Sequence, residues 1–416
     1  MSNQLNDTDV YILAAGRTPM GGLLGSLASL TAIDLGKHVV QGTLARTPLR
    51  TDEIDEVVFG NVIAAGNGQN PARQVAVKAG LPHSTPATTI NKVCASGLKA
   101  VAFASQAIRL GDAHTVIAGG TESMTNAPHL FPKARTGVKY GSAEIVDAVA
   151  VDGLTDAFGQ YAMGVAAEAT NRDYALTREM QDDYAIESYT KAGAATRDGK
   201  FAEIIPVEVA QGKGKPNKLV TADDEVSNFL PDKMRTLRPS FDPKGSVTAA
   251  NASPLSDGAA AIVLVSGKKL KQLVADGRLA PHSTTVFKVL ATADAEQEPV
   301  KFTTTPAVAL PKALAKAGIS ADQLDFVELN EAFACVALAN VHILGLPKEK
   351  VNVFGGAVAM GHPLGASGAR ILATLTTVLN AHNARYGAAA ICNGGGGATA
   401  CVIERVQLAG ALENRL

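Results

Sequence analysis

Short apolar runs alternate along the chain with stretches whose apolar residues recur at helical spacing. The runs at 8–14, 55–63 and 258–267 read as strands, and the last of them, GAAAIVLVSG, is apolar enough to be buried on both faces. Residues 94–110 predict a buried helix. Its apolar face carries Leu98, Val101, Ala102 and Ile108, with the small Ser105 among them. Farther on, 306–317, 330–344 and 365–380 predict helices, while 351–354 and 387–392 predict strands. A helix over 178–197 has Thr177 as N-cap and Gly199 just past its end. Strands and helices in alternation point to βαβ units, a largely parallel sheet and the α/β class.

The chain also repeats itself. DEIDEVVFGN at 52–61 matches DQLDFVELN at 322–330, pairing Asp52 with Asp322, Ile54 with Leu324 and Asp55 with Asp325. At nearly the same separation, ASGLKA at 95–100 matches ASGARI at 366–371. Each later segment leads through a helical stretch into an apolar strand and then glycines, VIAGG at 116–120 and AAICNGGGG at 389–397. The expectation is two duplicated α/β halves packed as a pseudo-dimer, residues 1–120 plus 248–270 and residues 271–416. Residues 121–247 have no counterpart and read as an inserted lid or binding region, with an exposed polar loop at 211–225.

Composition narrows the function. In 416 residues, 46% are hydrophobic, so a large core can form. Lys plus Arg number 38 against 39 Asp plus Glu, which gives no general electrostatic reason to bind nucleic acid. No apolar run reaches the roughly 18 residues that span a membrane. Four cysteines in this length exclude a disulfide scaffold. The histidines form no HxxxH pair and the cysteines no CxxC, so no metal site is indicated by spacing. No G-x-S-x-G elbow occurs, and GGGG at 394–397 is not a nucleotide-binding GxGxxG. The opening MSNQLNDTDV has neither a basic nor an apolar targeting character, and Asn414-Arg415-Leu416 only loosely resembles a peroxisomal address. The expected location is the cytoplasm.

Four segments carry candidate chemistry. Cys94 lies in INKVCASGLKAV at the start of a predicted helix, where backbone N–H groups lower a thiol pKa and favour the thiolate; an ordinary buried cysteine is the competing reading. His362 sits in a turn of small residues, MGHPLG, placed to present its ring. Cys392 ends an apolar strand that runs into four glycines, whose N–H groups can approach a ligand. Asn330 ends another strand, in ELNEAFA, either to hold a water or to cap the following helix.

Together these segments resemble the thiolase family, most closely its short-chain biosynthetic members, the acetyl-CoA acetyltransferases. The resemblance spans GRTPMGGLLGSL at 16–27, NKVCASGLKA at 91–100, GGTESMTNAPH at 119–129 and DGLTDAF at 152–158. It continues through VTAANAS at 247–253, NEAFA at 330–334, GGAVAMGHPLGASGAR at 355–370 and CNGGGG at 392–397. It implies the thiolase-like fold, a layered α-β-α-β-α core of two duplicated halves with an inserted loop domain.

The resemblance also implies roles. Cys94 is the nucleophile that is acylated, and His362 takes its proton. Cys392 is the base that removes an α-proton from the second acetyl-CoA. A water held by Asn330, with His362, forms one oxyanion hole, and the N–H groups of Cys94 and Gly394 form the other. Carrying the first acetyl group on a thiol splits the condensation into two easier steps with ping-pong kinetics. Leu154, Met163, Ala249, Ser253 and Phe333 are implied to line the pantetheine path, and Lys213, Lys215, Lys218, Lys233, Arg235 and Arg238 are the basic residues near the CoA phosphates. The substrates and products are acetyl-CoA, acetoacetyl-CoA and CoA, with no covalently bound cofactor. Members that bind a potassium ion carry residues similar to Tyr184, Ala249, Ala250, Ala252 and Val358. One departure is Ala162, where short-chain members usually have His beside the acyl pocket; it would admit longer or branched acyl groups. A loop near 130–142 implies a homotetramer. The alternatives are a broader-chain degradative 3-ketoacyl-CoA thiolase and, with all four catalytic residues present weighing against it, a non-catalytic lipid carrier.

Overall fold

A strand covered on both faces needs no polar positions, and every residue of Ser256–Ser266 is indeed buried. In the computed structural model, which describes residues 5–212, 214–280 and 284–408, this strand lies within a ten-stranded mixed sheet. Lys213 and the Asn414-Arg415-Leu416 end lie outside the described residues. The strands are β1 (Val10–Arg17), β2 (Glu56–Gly60), β3 (Ala87–Ile90), β4 (Thr115–Ser123), β5 (Ser256–Ser266), β6 (Thr285–Glu296), β7 (Phe326–Leu329), β8 (Tyr386–Asn393) and β9 (Gly397–Gln407). They run in the order β7-β8-β9-β6-β1-β5-β4-β2-β3, and the two-residue strand Gly21–Gly22 adds beside β5.

The duplication is visible in that order. Outward from the centre, one half reads β1-β5-β4-β2-β3 and the other β6-β9-β8-β7, followed by a bridge from Val327 to Val351. In both halves the first two pairings are antiparallel and the next is parallel. Both first strands also shift register near the same place, between Ile12 and Ala14 and between Val289 and Ala291. The halves join where β1 pairs antiparallel with β6, Tyr11 opposite Lys288 and Ile12 opposite Phe287.

The sheet is therefore not largely parallel, as the alternation of elements predicted: only β2–β3, β2–β4 and β7–β8 are parallel. The reason lies in the returns. After β8 the glycines turn the chain straight back into β9, with Gly395 and Gly396 at positive φ. After β4 the chain makes its long excursion and re-enters from the opposite end as β5.

Helices complete the layers. α1 (Ala32–Leu44) covers the outer face of the first half, with Ile33, Leu35, Val39 and Val40 in one core cluster. α4 (Pro306–Ala317) does the same for the second half through Ala309, Leu310, Ala313 and Leu314. Between the sheets lie α2 (Ser96–Leu110) and α6 (Leu364–Ala381), whose Leu98, Val101, Ile108, Leu372 and Leu375 share the central cluster. This is the expected α-β-α-β-α layering. α6 is buried along almost its whole length, and polar residues on it, Ser367, Arg370 and Thr374, must find partners inside the protein.

Two local expectations differ. The strand predicted over 351–354 is reduced to the Val351 bridge. Asn352 turns away at φ 47° and its side chain replaces the ladder, accepting from Leu329 N at 2.9 Å and donating to Leu329 O at 2.9 Å. The helix predicted from 330 begins at Ala334 as α5 (Ala334–Leu344). Residues before it stay extended because Ser253 N donates to Ala332 O and Ala334 N to Asn251 O. Phe333, not Asn330, is the residue preceding the helix. The excursion contributes α3 (Arg178–Arg197), capped as expected by Thr177, whose hydroxyl accepts from Met180 N.

Candidate active site

Cys94 sits on a tight turn between β3 and α2. Val93 before it has φ 48°, a left-handed conformation that a β-branched residue adopts only under constraint. The constraint is local. Val93 N donates to Asn91 Oδ1 at 2.8 Å, Lys92 N to Ser96 Oγ at 2.8 Å, and Ser96 Oγ to Val93 O at 2.6 Å. The N–H groups of Gly394 and of Cys94 itself point at the Cys94 sulfur.

These N–H groups do not make it a resting thiolate, as the sequence reading predicted. Burial pushes the thiol up to about 12, and the two backbone donors only partly oppose it. Cys392, fully buried at the end of β8, is raised well above the ordinary thiol range, first by burial and then by the neighbouring Cys94 and Cys335. Both thiols are neutral before a substrate enters.

His362 meets Cys94 in one cavity of about 690 Å³. Gly361 before it has φ 113°, and a Cβ there would lie 2.4 Å from Ser256 Oγ; this lets the turn close so that His362 N donates to that same oxygen at 3.2 Å. His362 Nδ1 is 2.6 Å from Ser367 Oγ, and Ser367 Oγ donates to Pro363 O at 2.8 Å. A hydroxyl has one proton, so Ser367 accepts from Nδ1–H. That leaves Nε2 as the free acceptor, 3.5 Å from Asn330 Nδ2. Burial, followed by the charge of Arg370, lowers the imidazole to about 3. The ring is neutral with a bare Nε2, the form that can take a proton from a neutral thiol.

Asn330 leaves β7 fully buried, between His362 and the Arg370 guanidinium, whose Nη2 donates to Asn330 Oδ1 at 3.4 Å. Ser256, Ser367 and Arg370 were not singled out in the sequence; Ser367 and Arg370 lie in the same GHPLGASGAR stretch as His362 and show their part only when α6 folds.

The cavity wall is mostly apolar. Leu154, Met163, Ala249, Ser253 and Phe333 all line it, as do Ala162, Phe241 and Phe302. Phe241 stands edge-on to Phe333, with ring centroids 6.2 Å apart. Gly394 borders Met163, whose Sδ would lie 3.3 Å from a Cβ there. Of the basic residues, Arg235 is engaged with Asp183 at 2.6 Å, while Lys215, Lys218 and Lys233 are exposed.

Two of the residues proposed to hold a cation, Tyr184 and Val358, meet at Glu331. This fully buried carboxylate accepts from Tyr184 Oη at 2.8 Å, Ser188 Oγ at 2.8 Å, Asn352 Nδ2 at 2.8 Å and Val358 N at 3.1 Å. Gly356 packs on it so closely that a Cβ would clash with its oxygens. Ala250 and Val358 share one apolar cluster, whereas Ala249 faces the cavity. Among the described residues no grouping of His, Cys, Asp and Glu forms a metal site of the usual kind.

The chain is similar to known proteins along most of its length. The family described as "Thiolase, N-terminal domain" matches residues 10–268, and "Thiolase, C-terminal domain" matches 283–405. The chain is 55% identical over 398 residues to the cytosolic acetyl-CoA acetyltransferase ERG10 of Gibberella zeae, covering 96% of this chain and 98% of that protein. It is 52% identical to an acetyl-CoA acetyltransferase of Schizosaccharomyces pombe, over 96% of this chain and all of that one. The crystal structure of the Acat5 thiolase from Ascaris suum in complex with coenzyme A superposes with a TM-score of 0.88 at 44% identity, covering 96% of this chain and 100% of that one.

Proposed function

The chain belongs to the thiolase family, and on that premise we propose that it joins two acetyl-CoA molecules into acetoacetyl-CoA and CoA, reversibly, through an acetyl group carried on Cys94. The observation that carries this is the meeting of Cys94 and a neutral, Nε2-open His362 in one apolar cavity.

The neutral thiol and the low imidazole basicity shape the first step. Proton transfer from Cys94 Sγ to His362 Nε2 accompanies attack on the thioester carbon. The new S–C bond forms and the C–S bond to CoA breaks; CoA leaves as its thiol with the proton of Cys392, so that Cys392 becomes the thiolate and Nε2 keeps the proton of Cys94. The N–H groups of Cys94 and Gly394 face the position of the acyl oxygen on Cys94. In the second step Cys392 removes the α-proton of a second acetyl-CoA. Its enolate oxygen accepts from Nε2–H of His362 and from a water on Asn330 Nδ2; the carbanion displaces Cys94 from the acetyl group, and Cys94 takes its proton back from Nε2. A base as reluctant to ionise as Cys392 needs that stabilisation to work.

Coenzyme A itself would enter along the Leu154, Met163, Ala249, Ser253 and Phe333 wall, with Lys215, Lys218, Lys233 and Arg238 nearest its phosphates. Glu331 supports a potassium ion beside this wall. Its buried side-chain oxygens have only uncharged hydrogen-bond donors among the described residues, and the hydroxyl of Tyr184 with the carbonyls of Ala249, Ala250, Ala252 and Val358 would offer the oxygen ligands a monovalent cation prefers. No helix of the described residues is long and apolar enough to cross a membrane, and a cytoplasmic location follows the cytosolic relative. The exposed Phe131, Val138, Tyr140 and Ile145 support assembly through that loop into a homotetramer.

A broader-chain thiolase is the second reading, favoured by the small Ala162 in the cavity wall. Thiolysis of acetoacetyl-CoA and of a long-chain 3-ketoacyl-CoA, each in potassium and in sodium chloride, separates the two. Preference for acetoacetyl-CoA with potassium activation is the expected result. Equal or faster turnover of the long substrate refutes the short-chain reading.

A further inference from the structure

We propose that Arg370 is a positioning residue: it holds the Asn330 amide with its oxygen turned inward, so that the amide N–H groups face His362 Nε2 and the thioester oxygen. This rests on the reading of the site given above.

An asparagine amide has nearly the same shape in either orientation, so packing alone does not choose between its oxygen and its nitrogen. Here two independent constraints agree. Arg370 has only donors, and its Nη2 lies 3.4 Å from Asn330 Oδ1. On the other side, the relay from Nδ1–H through Ser367 to Pro363 O makes His362 Nε2 an acceptor, which calls for the amide nitrogen. Without Arg370 only the second constraint remains, and it disappears each time Nε2 takes a proton during turnover. The amide oxygen would then turn toward Nε2–H, and the donor face for the enolate would be lost.

The placement follows from two periodicities. Glu328 and Asn330 are two residues apart at the end of β7, so both face α6. Arg370 lies six residues, or about one and two-thirds helical turns, beyond Leu364, where α6 passes that face. Stability does not account for burying this side chain. Among the described residues its Nε and Nη1 have no hydrogen-bond partner, and its carboxylate neighbour, Glu328 Oε2, stands 3.8 Å away and likewise has none. An ion pair so loosely made adds little to stability compared with apolar packing.

The test is a double-mutant cycle on acetoacetyl-CoA synthesis by the full chain, with Arg370→Met, Asn330→Ala and the pair. Arg370→Met is expected to lower kcat about tenfold with KM within about twofold, and to change kcat less than about twofold once Asn330 is already Ala. Arg370→Gln, which keeps an N–H to offer Oδ1, should recover most of the loss; it also stands in for Met in the cycle if the Met variant does not fold. An equal loss in both backgrounds overturns the proposal and makes Arg370 a structural residue. So does an unchanged kcat in Arg370→Met beside a slow Asn330→Ala. If Asn330→Ala itself is as fast as wild type, the reading of the site falls, and this inference with it.

Discussion

At Cys94 two local effects oppose each other and burial prevails. N–H groups at the start of a helix favour a thiolate, yet removing the sulfur from water costs more than two such donors return. The rate of Cys94 alkylation by iodoacetamide should therefore climb steadily from about pH 7 to about pH 10. A plateau at or below neutral pH, read by peptide mass after timed quenching, would mean that a thiolate is already formed. Ser367 makes a related case at His362. Replacing it by Ala leaves Nδ1–H without its acceptor and frees the ring to place its proton on Nε2. Ser367→Ala should lower kcat by roughly tenfold, from the loss of about 1.5 kcal/mol of hydrogen bonding, with a normal unfolding midpoint. Unaltered kcat would show that the tautomer is set elsewhere.

At the scale of elements, each proposed catalytic group sits where a strand or turn ends and a helix begins or passes. Cys94 precedes α2, His362 precedes α6, Asn330 follows β7, and Cys392 closes β8. Strand ends leave the chain free to bend, and the helices behind them hold it still. The helix α3 meets this arrangement through Tyr184 and Ser188, which donate to Glu331, while its N-terminal end is held by ordinary means. Thr177→Ala removes the hydroxyl that accepts from Met180 N and should cost about 1 kcal/mol. Thermal unfolding of the folded variant should show a slightly lower midpoint while kcat stays unchanged. A large loss of activity would tie α3 to the site more closely than its contacts do.

Across the whole molecule, buried polar groups tie segments distant in sequence together. Arg17 pairs with Glu203 at 3.1 Å and Asp223 at 2.6 Å inside the protein, far apart in sequence. Glu122 on β4 accepts from Val62 N, Ile63 N and Gly365 N, so one carboxylate ties the first half to the segment after His362. Burial raises Glu122 to about 7 despite those donors. The folded protein then holds a proton that the unfolded chain gives up above 4.5. This group's contribution is full below about pH 4.5 and is lost as pH rises through about 7. Wild type should lose stability relative to Glu122→Gln over that window, measured as unfolding midpoints at a series of pH values. A constant difference between the two proteins would show that Glu122 keeps an ordinary carboxylate pKa in the fold.

Some of this was legible in the chain itself. The duplication, the buried strand at 258–267, the helices at 94–110, 178–197 and 306–317, and the motifs around Cys94, Asn330, His362 and Cys392 depend on local order: periodicity, caps and repeated spacing are properties of neighbours. Strand direction was not legible, because it depends on where a chain returns after a turn or an excursion. The ionisation of the thiols was not legible either, because a helix start is local and desolvation is a property of everything packed around it. Nor could spacing reveal that Ser367 and Arg370 act on His362 and Asn330 from inside α6, since a helix buried on all sides chooses its partners only when the sheets close over it. Sequence determined the elements and the chemistry they carry; the tertiary structure decided their direction, their protonation and which polar groups meet.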